Sequence, residues 1–433
     1  MHATTTTMYF IIATRTPKQF YNIQSVAEAL LARGARVRVY CDERLSRHEP
    51  RAPLEAFAEG KQGFSFAFCS GRAGFSRVPV FTARALLSYR RFLLSKTQAL
   101  YYARRWRRNI PLLARLFAYL PGFAALLKTR RAEAILRRVE SRTEPVPDIV
   151  ALLEQENPDA VVAAPTNMHP ESVETEFLKA AKAIGIFTAL PIFTWDNLTT
   201  KGLLPIEPDL LLAWNEKQAR EAEEYHDIPR EQIKTIGALP FDRWFTSTEV
   251  ERFASINPST SFVVAPHTAR KKILYVGTSR VTAPDETWLV REIADAMQES
   301  EREDVRNAEL LFRPHPFNRE IARAFVEKPC SNVRVLESES RMPNTKARFD
   351  ELRAEIVGAD IVCGVSTSAF VDAVIADRPV VAVRVSKYRD TQEGAEHWRA
   401  LCKSGAAHIA DGASDAVRLF ERIIDGQDEK KKQ

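Results

Sequence analysis

The tetrapeptide Arg313-Pro314-His315-Pro316 sets a guanidinium beside an imidazole that prolines flank on both sides. Proline fixes its own φ, so the direction of that imidazole is set before any ligand arrives. A histidine held this way can donate to a phosphate or take part in proton transfer. Two more stretches suit an anion. Gly277-Thr278-Ser279-Arg280 offers backbone N–H groups, two hydroxyls and a guanidinium in one short turn. Gly364-Val365-Ser366-Thr367-Ser368 puts three hydroxyls ahead of a helical pattern, where they serve an anion, cap the helix, or do both. Asp372 lies about one helical turn further on. It is either an acceptor for a ribose diol or an ordinary exposed helix acid.

Earlier in the chain, Phe193 to Gly202 is the densest polar stretch. Asp196 could act as a general base or orient an acceptor hydroxyl, and Lys201 could neutralise a phosphate. Asn197 joins them on the acceptor side. Thr166-Asn167-Met168-His169-Pro170-Glu171 adds His169 and Glu171 as acid–base candidates. Turn formation alone also accounts for Asp and Asn in such places.

Every one of these stretches follows a short apolar run. Lys272–Val276 precedes Gly277, Leu310–Phe312 precedes Arg313, and Ile361–Cys363 precedes Gly364. Asp159–Ala164 and Phe187–Phe193 do the same in the first half. Apolar run, polar loop, then helical pattern is how a parallel α/β sheet reads. In open sheets of that kind ligands sit beyond the carboxyl ends of the strands. Further strands are expected at Met8–Ala13, Val37–Asp42, Phe64–Cys69, Leu210–Trp214 and Ile233–Gly237. Helices are expected at Ile23–Arg33, ending at Gly34, at Glu174–Ile184, at Glu216–Tyr225 behind an Asn215 cap, and at Ser414–Ile424. The first strand–helix–strand unit lacks GxGxxG, so no dinucleotide is expected there.

A chain of 433 residues exceeds one ordinary core. The expectation is α/β with two Rossmann-like domains facing a cleft. The first spans 1–245, a polar linker 246–270, the second 271–426, and a disordered tail 427–433. A basic helical insertion at about 82–142 interrupts the first. Residues 84–142 hold 15 Lys or Arg against Glu133 and Glu140, a net +13, so the rest of the +6 chain sums to −7. The run Ile110–Leu127 raises the question of a membrane span, but Arg115 and the Pro121-Gly122 break argue against one. Two readings of the insertion remain: helices covering the core with a solvated basic face, or an interfacial hairpin at an anionic membrane. No nucleic-acid recognition module is visible. The five cysteines are scattered without zinc-site spacing, and there is no basic leader, so a reducing, cytoplasmic setting is expected.

Together, the Gly-Thr-Ser loop, Arg-Pro-His-Pro, and Gly358-Ala359-Asp360-Ile361-Val362 followed by Ser-Thr-Ser and an acid resemble the glycosyltransferases of the GT-B class. Within that class the stretch Lys271–Val385 looks like bacterial surface-polysaccharide transferases and the CDP-glycerol glycerophosphotransferase group. The resemblance implies a nucleotide-sugar donor on the second half. Ser279, Arg280, Arg313 and His315 would face its phosphates or leaving group, with Gly277 and Thr278 in the same loop. Ser366, Thr367 and Ser368 would cradle the diphosphate, and Asp372 stands where many such enzymes carry a ribose-binding Glu. The expected activity is glycosyl transfer to a cell-surface glycan or lipid-linked acceptor, with no cofactor and no metal, possible contact with the inner membrane face, and no nucleic-acid partner. Ala13-Thr14-Arg15-Thr16-Pro17 also resembles the opening loop of non-hydrolysing UDP-sugar 2-epimerases, whose later Ser-Gly-Gly and paired acids are missing here. An epimerase is the alternative. A catalytically silent membrane-surface or polysaccharide-binding protein is the second alternative.

Overall fold

The computed structural model describes residues 7–96, 100–163, 166–245, 270–336 and 345–427. Almost all of the expected linker and tail lies outside these residues. The chain divides into two compact units, Met1–Arg243 and Trp244–Gln433.

The first unit holds a parallel sheet of β1 (Tyr9–Thr14), β2 (Arg36–Asp42), β3 (Phe64–Cys69), β4 (Ala160–Ala163), β5 (Phe187–Pro191), β6 (Leu210–Ala213) and β7 (Ile233–Thr235). Their order is β3-β2-β1-β4-β5-β6-β7. The second unit holds β8 (Lys272–Val276), β9 (Glu309–Arg313), β10 (Val333–Val335), β11 (Ile361–Gly364), β12 (Val380–Arg384) and β13 (His408–Asp411), ordered β10-β9-β8-β11-β12-β13. Both orders begin 3-2-1-4-5-6 when counted within each unit. Each sheet therefore reverses direction once, between its first and fourth strands, and opens a crevice there.

Side-chain alternation explains the unbroken apolar runs. Ile11 and Ala13 pack into one core with Val161, Phe177 and Leu178. Ile12, between them, packs into another with Phe20, Val37, Val39 and Leu54. Successive residues of a strand face opposite sides, so a sheet covered on both faces must be apolar at every position. In the second unit Ile273, Tyr275, Leu310, Phe312, Ile361 and Cys363 share a core with the Thr287–Gln298 and Ala413–Ile424 helices. The Asn215 side chain accepts from the Gln218 N–H and caps the Glu216–His226 helix.

Among the described residues the basic insertion is a set of five helices, Arg77–Leu94, Leu100–Arg107, Leu112–Phe117, Phe123–Leu127 and Arg130–Arg142. Its first two helices cover the core, but not all of their basic residues are solvated. Arg84 is 3% exposed and bridges Glu140 (2.7 Å) and Glu176 (2.7 Å), while Arg72 and Lys179 complete the network on the same two acids. Burial pushes the Glu140 carboxyl up, but the hydrogen bonds and charge of Arg84 outweigh it and hold it low. Trp106, among the arginines of the second of these helices, points inward. It stacks on Phe92 and donates to the Thr200 carbonyl at 3.0 Å. Among the described residues no helix is long and apolar enough to cross a membrane.

Candidate functional site

In the second unit three loops meet where the sheet reverses. The first, Gly277–Ser279, leaves β8. A Cβ on Gly277 would stand 3.0 Å from the His315 nitrogen and 3.1 Å from the Arg313 carbonyl oxygen. Only glycine lets the Arg313-Pro314-His315 loop lie that close. A Cβ on Gly364 would stand 2.6 Å from the Val276 carbonyl oxygen, so β11 ends equally tightly against β8. The loops are also hydrogen-bonded. Ser366 N–H donates to Thr278 Oγ1 at 3.3 Å, and Asn318 Nδ2 reaches the carbonyls of Ala283 and Pro284.

Thr278 itself is 2% exposed, and its hydroxyl is engaged twice. It donates to Glu286 Oε1 at 3.0 Å while accepting from Ser366. The expected phosphate-binding hydroxyl is thus a strut. Glu286 is fully buried and also accepts from the Thr278 N–H and the Tyr275 hydroxyl. Burial raises its pKa to about 7, against the pull of those three donors. Gln392 and the Trp398 indole both hold the Val365 carbonyl. Ser279 is half-buried, Thr367 half-buried and Ser368 exposed at the same edge. Thr367 Oγ1 accepts from the Ala369 N–H in the turn before the Ala369–Ile375 helix, whose N-cap residue Ser368 makes no side-chain cap.

His315 is half-buried, and its Nδ1 accepts from the Phe317 N–H at 3.1 Å. The proton of the neutral ring therefore sits on Nε2. Burial, and then the Arg348 charge, push its pKa down to about 4. Arg313 is buried and faces away from solvent into an ion pair with Glu355, with Glu351 at 3.6 Å. Arg280 is exposed and paired with Glu320 at 2.8 Å. Asp372 is not an exposed helix acid. It is 4% exposed, and Trp244 Nε1 donates to its Oδ1 at 2.7 Å.

In the first unit the loops after β4 and β5 lock together. Asn197 is buried and bonded to Asn167, which also binds the carbonyls of Asn197 and Gly202. An expected acceptor-side amide is thus an internal tie. Asp196 takes hydrogen bonds from Thr194, Thr200 and Lys201, the last at 2.8 Å. Lys201 is likewise committed to Asp196 rather than left for a phosphate. From the insertion, Arg91 donates to the carbonyls of Leu198, Thr199 and Lys201. His169 accepts on Nδ1 from the Glu171 N–H at 3.1 Å, and burial and then Arg15 lower its pKa. Glu171 pairs with Arg44 and Arg77.

Several positioning groups carry no local sequence signal: Glu286, Gln392, Asn318 and Trp244 in the second unit, Arg91 and Glu174 in the first. Glu174 opens the Val173–Ala183 helix fully buried. Its Oε2 accepts from Ser172 Oγ at 2.7 Å, and its Oε1 has no partner among the described residues. Burial raises its pKa to about 7. The hydroxyls of Thr14, Thr16 and Thr166 are buried and unpartnered among the described residues as well, at the ends of β1 and β4.

No protein-family model and no curated protein matches this sequence. Its fold does match solved structures. A Listeria monocytogenes protein described as a UDP-N-acetylglucosamine 2-epimerase superposes with a TM-score of 0.53 at 12% identity, over 99% of this chain and 90% of that one. Another UDP-N-acetylglucosamine 2-epimerase gives 0.52 at 13% identity, over 98% and 89%. The UDP-GlcNAc 2-epimerase of Methanocaldococcus jannaschii gives 0.52 at 12%, over 96% and 92%. At such identity the likeness is one of fold: a two-domain α/β fold of GT-B type.

Proposed function

We propose that this chain is an enzyme acting on a nucleoside-diphosphate sugar held at the strand ends of the second unit. The observation that carries the reading is the junction of the three loops, where Gly277 admits the His315 loop and Thr278 ties down Ser366. Such a platform needs no rearrangement when charge develops on a departing diphosphate. Ser279, Thr367, Ser368 and the His315 Nε2–H are its outward donors, and Arg280 would reach the phosphates by leaving Glu320. Glycosyl transfer is the first reading, on the motifs shared with surface-polysaccharide transferases and the CDP-glycerol group, with the first unit receiving the acceptor. Epimerisation at C2 is the second, and the fold comparison favours it. Against it stand Ser366-Thr367-Ser368 in place of Ser-Gly-Gly, and a lone Asp372 occupied by Trp244.

Thermal-shift screening against UDP-, CDP-, GDP-, dTDP- and CMP-sugars tests the common premise. Stabilisation by none of them would sink it. Incubating the stabilising sugar nucleotide in deuterated water then separates the chemistries. Epimerisation must break the C2–H bond, so deuterium enters C2 without any acceptor. Transfer leaves C2 unlabelled and releases nucleotide only when an acceptor is supplied.

A further inference from the structure

The insertion carries a surface that the fold does not use. The Leu112–Phe117 helix has no buried residue. Leu112, Leu113, Leu116 and Phe117 are all more than half exposed, and Leu120 and Leu126 continue the run, at 55% and 62%. A helix in a packed protein normally turns an apolar stripe inward. Here six large apolar side chains within fifteen residues face out. At roughly 100 Å² each they present on the order of 600 Å² of apolar surface, at the top of the range for a monomer's largest patch.

Along the chain, the charge flanking this elbow is of one sign. Arg104, Arg108, Lys128, Arg130 and Arg131 are exposed on either side of it, and no acidic residue occurs between Arg84 and Glu133. Tyr119, also exposed, lies under the Arg107 guanidinium at 4.0 Å. Apolar side chains at a tip, an aromatic beside them and flanking arginines match the layers of an anionic bilayer surface, acyl chains below and phosphate headgroups above. The base of the insertion is rigid. The buried Arg84–Glu140–Lys179 cluster fixes it to the Val173–Ala183 helix, so the elbow is presented on a firm support.

We propose that the Leu112–Leu126 elbow inserts into the surface of an anionic membrane and docks the enzyme there. This goes beyond the nucleotide-sugar reading and does not depend on it. The test is co-sedimentation of the full chain with phosphatidylcholine vesicles containing roughly one-quarter phosphatidylglycerol, and with phosphatidylcholine alone, at about 0.1 M and about 0.5 M salt. Binding to the anionic vesicles that weakens at high salt is expected. In Leu113→Ser/Leu116→Ser/Phe117→Ser, partitioning should fall by about tenfold for each of the three side chains that inserts, up to about a thousandfold. Arg104→Gln/Arg108→Gln/Arg130→Gln/Arg131→Gln should lower it toward the level on neutral vesicles. These residues are exposed, so an unchanged melting temperature confirms that the variants fold. Vesicle binding unchanged in the serine variant would overturn insertion, and no binding at low salt would overturn docking. A chain that sediments as a dimer and becomes monomeric in the serine variant would assign the face to a second copy instead. Sugar-nucleotide stabilisation is read on the same samples, so failure of either proposal is seen separately.

Discussion

Replacing His226 with glutamine should remove an acid-sensitive step from the stability of the first unit. His226 ends the Glu216–His226 helix and is 3% exposed. Its Nδ1 accepts from the Leu204 N–H at 3.1 Å, and its Nε2 lies 2.8 Å from the Leu198 carbonyl oxygen. Both contacts hold only if the ring is neutral with its proton on Nε2. A second proton would set Nδ1–H against an N–H in a buried site near Arg91. Burial first, and the Arg91 charge second, lower the pKa from 6.5 to about 3, with the Leu198 carbonyl opposing. The folded value lies below the unfolded one, so the unfolded chain takes the proton first as pH falls. The stability is intact above 6.5 and is lost progressively toward 3. Linkage puts the loss at about 2 kcal/mol between about pH 7.5 and about pH 5. Glutamine keeps one donor and one acceptor but does not titrate. Urea titrations read by hydrogen exchange of peptides spanning 198–226 report on this unit alone. The wild type should lose about 2 kcal/mol more than His226→Gln over that pH interval. Equal slopes in the two proteins would refute the reasoning, because every other titrating group is common to both.

Gly277→Ala should destabilise the second unit by about 1–3 kcal/mol, because the new methyl would crowd backbone atoms of Arg313 and His315 at 3.0–3.1 Å and force that loop to shift. Thermal unfolding and sugar-nucleotide binding should both suffer, and normal values would dissolve the three-loop junction. Glu174→Gln should have the opposite pH signature to His226. The folded pKa, about 7, lies above the ordinary 4.5, so the native state is penalised as pH rises through that interval. The variant should gain about 2–3 kcal/mol over wild type on going from about pH 5 to about pH 8, and no gain would contradict a buried carboxyl. Arg313→Met should cost about 1–3 kcal/mol by leaving the half-buried Glu355 without its Arg313 partner, measured by urea unfolding. A loss of donor affinity without any loss of stability would return Arg313 to the ligand.

The central strands were legible because both their faces are covered, and a doubly covered strand is apolar at every position, as Ile11, Ile12 and Ala13 show, whereas the partly exposed edge strands β10 and β13 were not read. The candidate loops were legible for the same reason, since each begins where such a run stops. What each side chain does there was not. Asp196, Asn197, Thr278 and Arg313 have the residue types of ligand-binding groups, yet all four are bonded to partners within the protein. Their partners include residues 5, 30, 8 and 42 positions away, and no local pattern marks pairs at such separations. The insertion misled for a related reason. Its arginines look alike in sequence, but Arg84 lies in a buried network with Glu140 and Glu176 while Arg104 and Arg108 face solvent.

The two histidines singled out by their prolines turn out to be built alike. His169-Pro170-Glu171 and His315-Pro316-Phe317 each fold back so that Nδ1 accepts from the N–H two residues on. The intervening proline has no N–H to compete and holds the bend. Each ring is therefore neutral, with Nε2–H as its remaining donor, and in each case burial and a nearby arginine, Arg15 or Arg348, keep the second proton off. The sequence left open whether His315 donates or moves a proton. A ring with a pKa of about 4 is a weak base and is rarely an acid at neutral pH, so donation is the chemistry it suits. A neutral N–H can stabilise charge developing on a departing phosphate without changing its own protonation state. Proton transfer needs a group that titrates near neutrality. Glu174 and Glu286 both do, at about 7. Glu286 is engaged by three donors that hold the Gly277–Ser279 loop in shape, whereas Glu174 keeps one carboxylate oxygen without a partner among the described residues. His315 therefore suits donation in the second unit, whereas in the first unit Glu174 is the carboxyl that combines a pKa of about 7 with an unpartnered oxygen among the described residues.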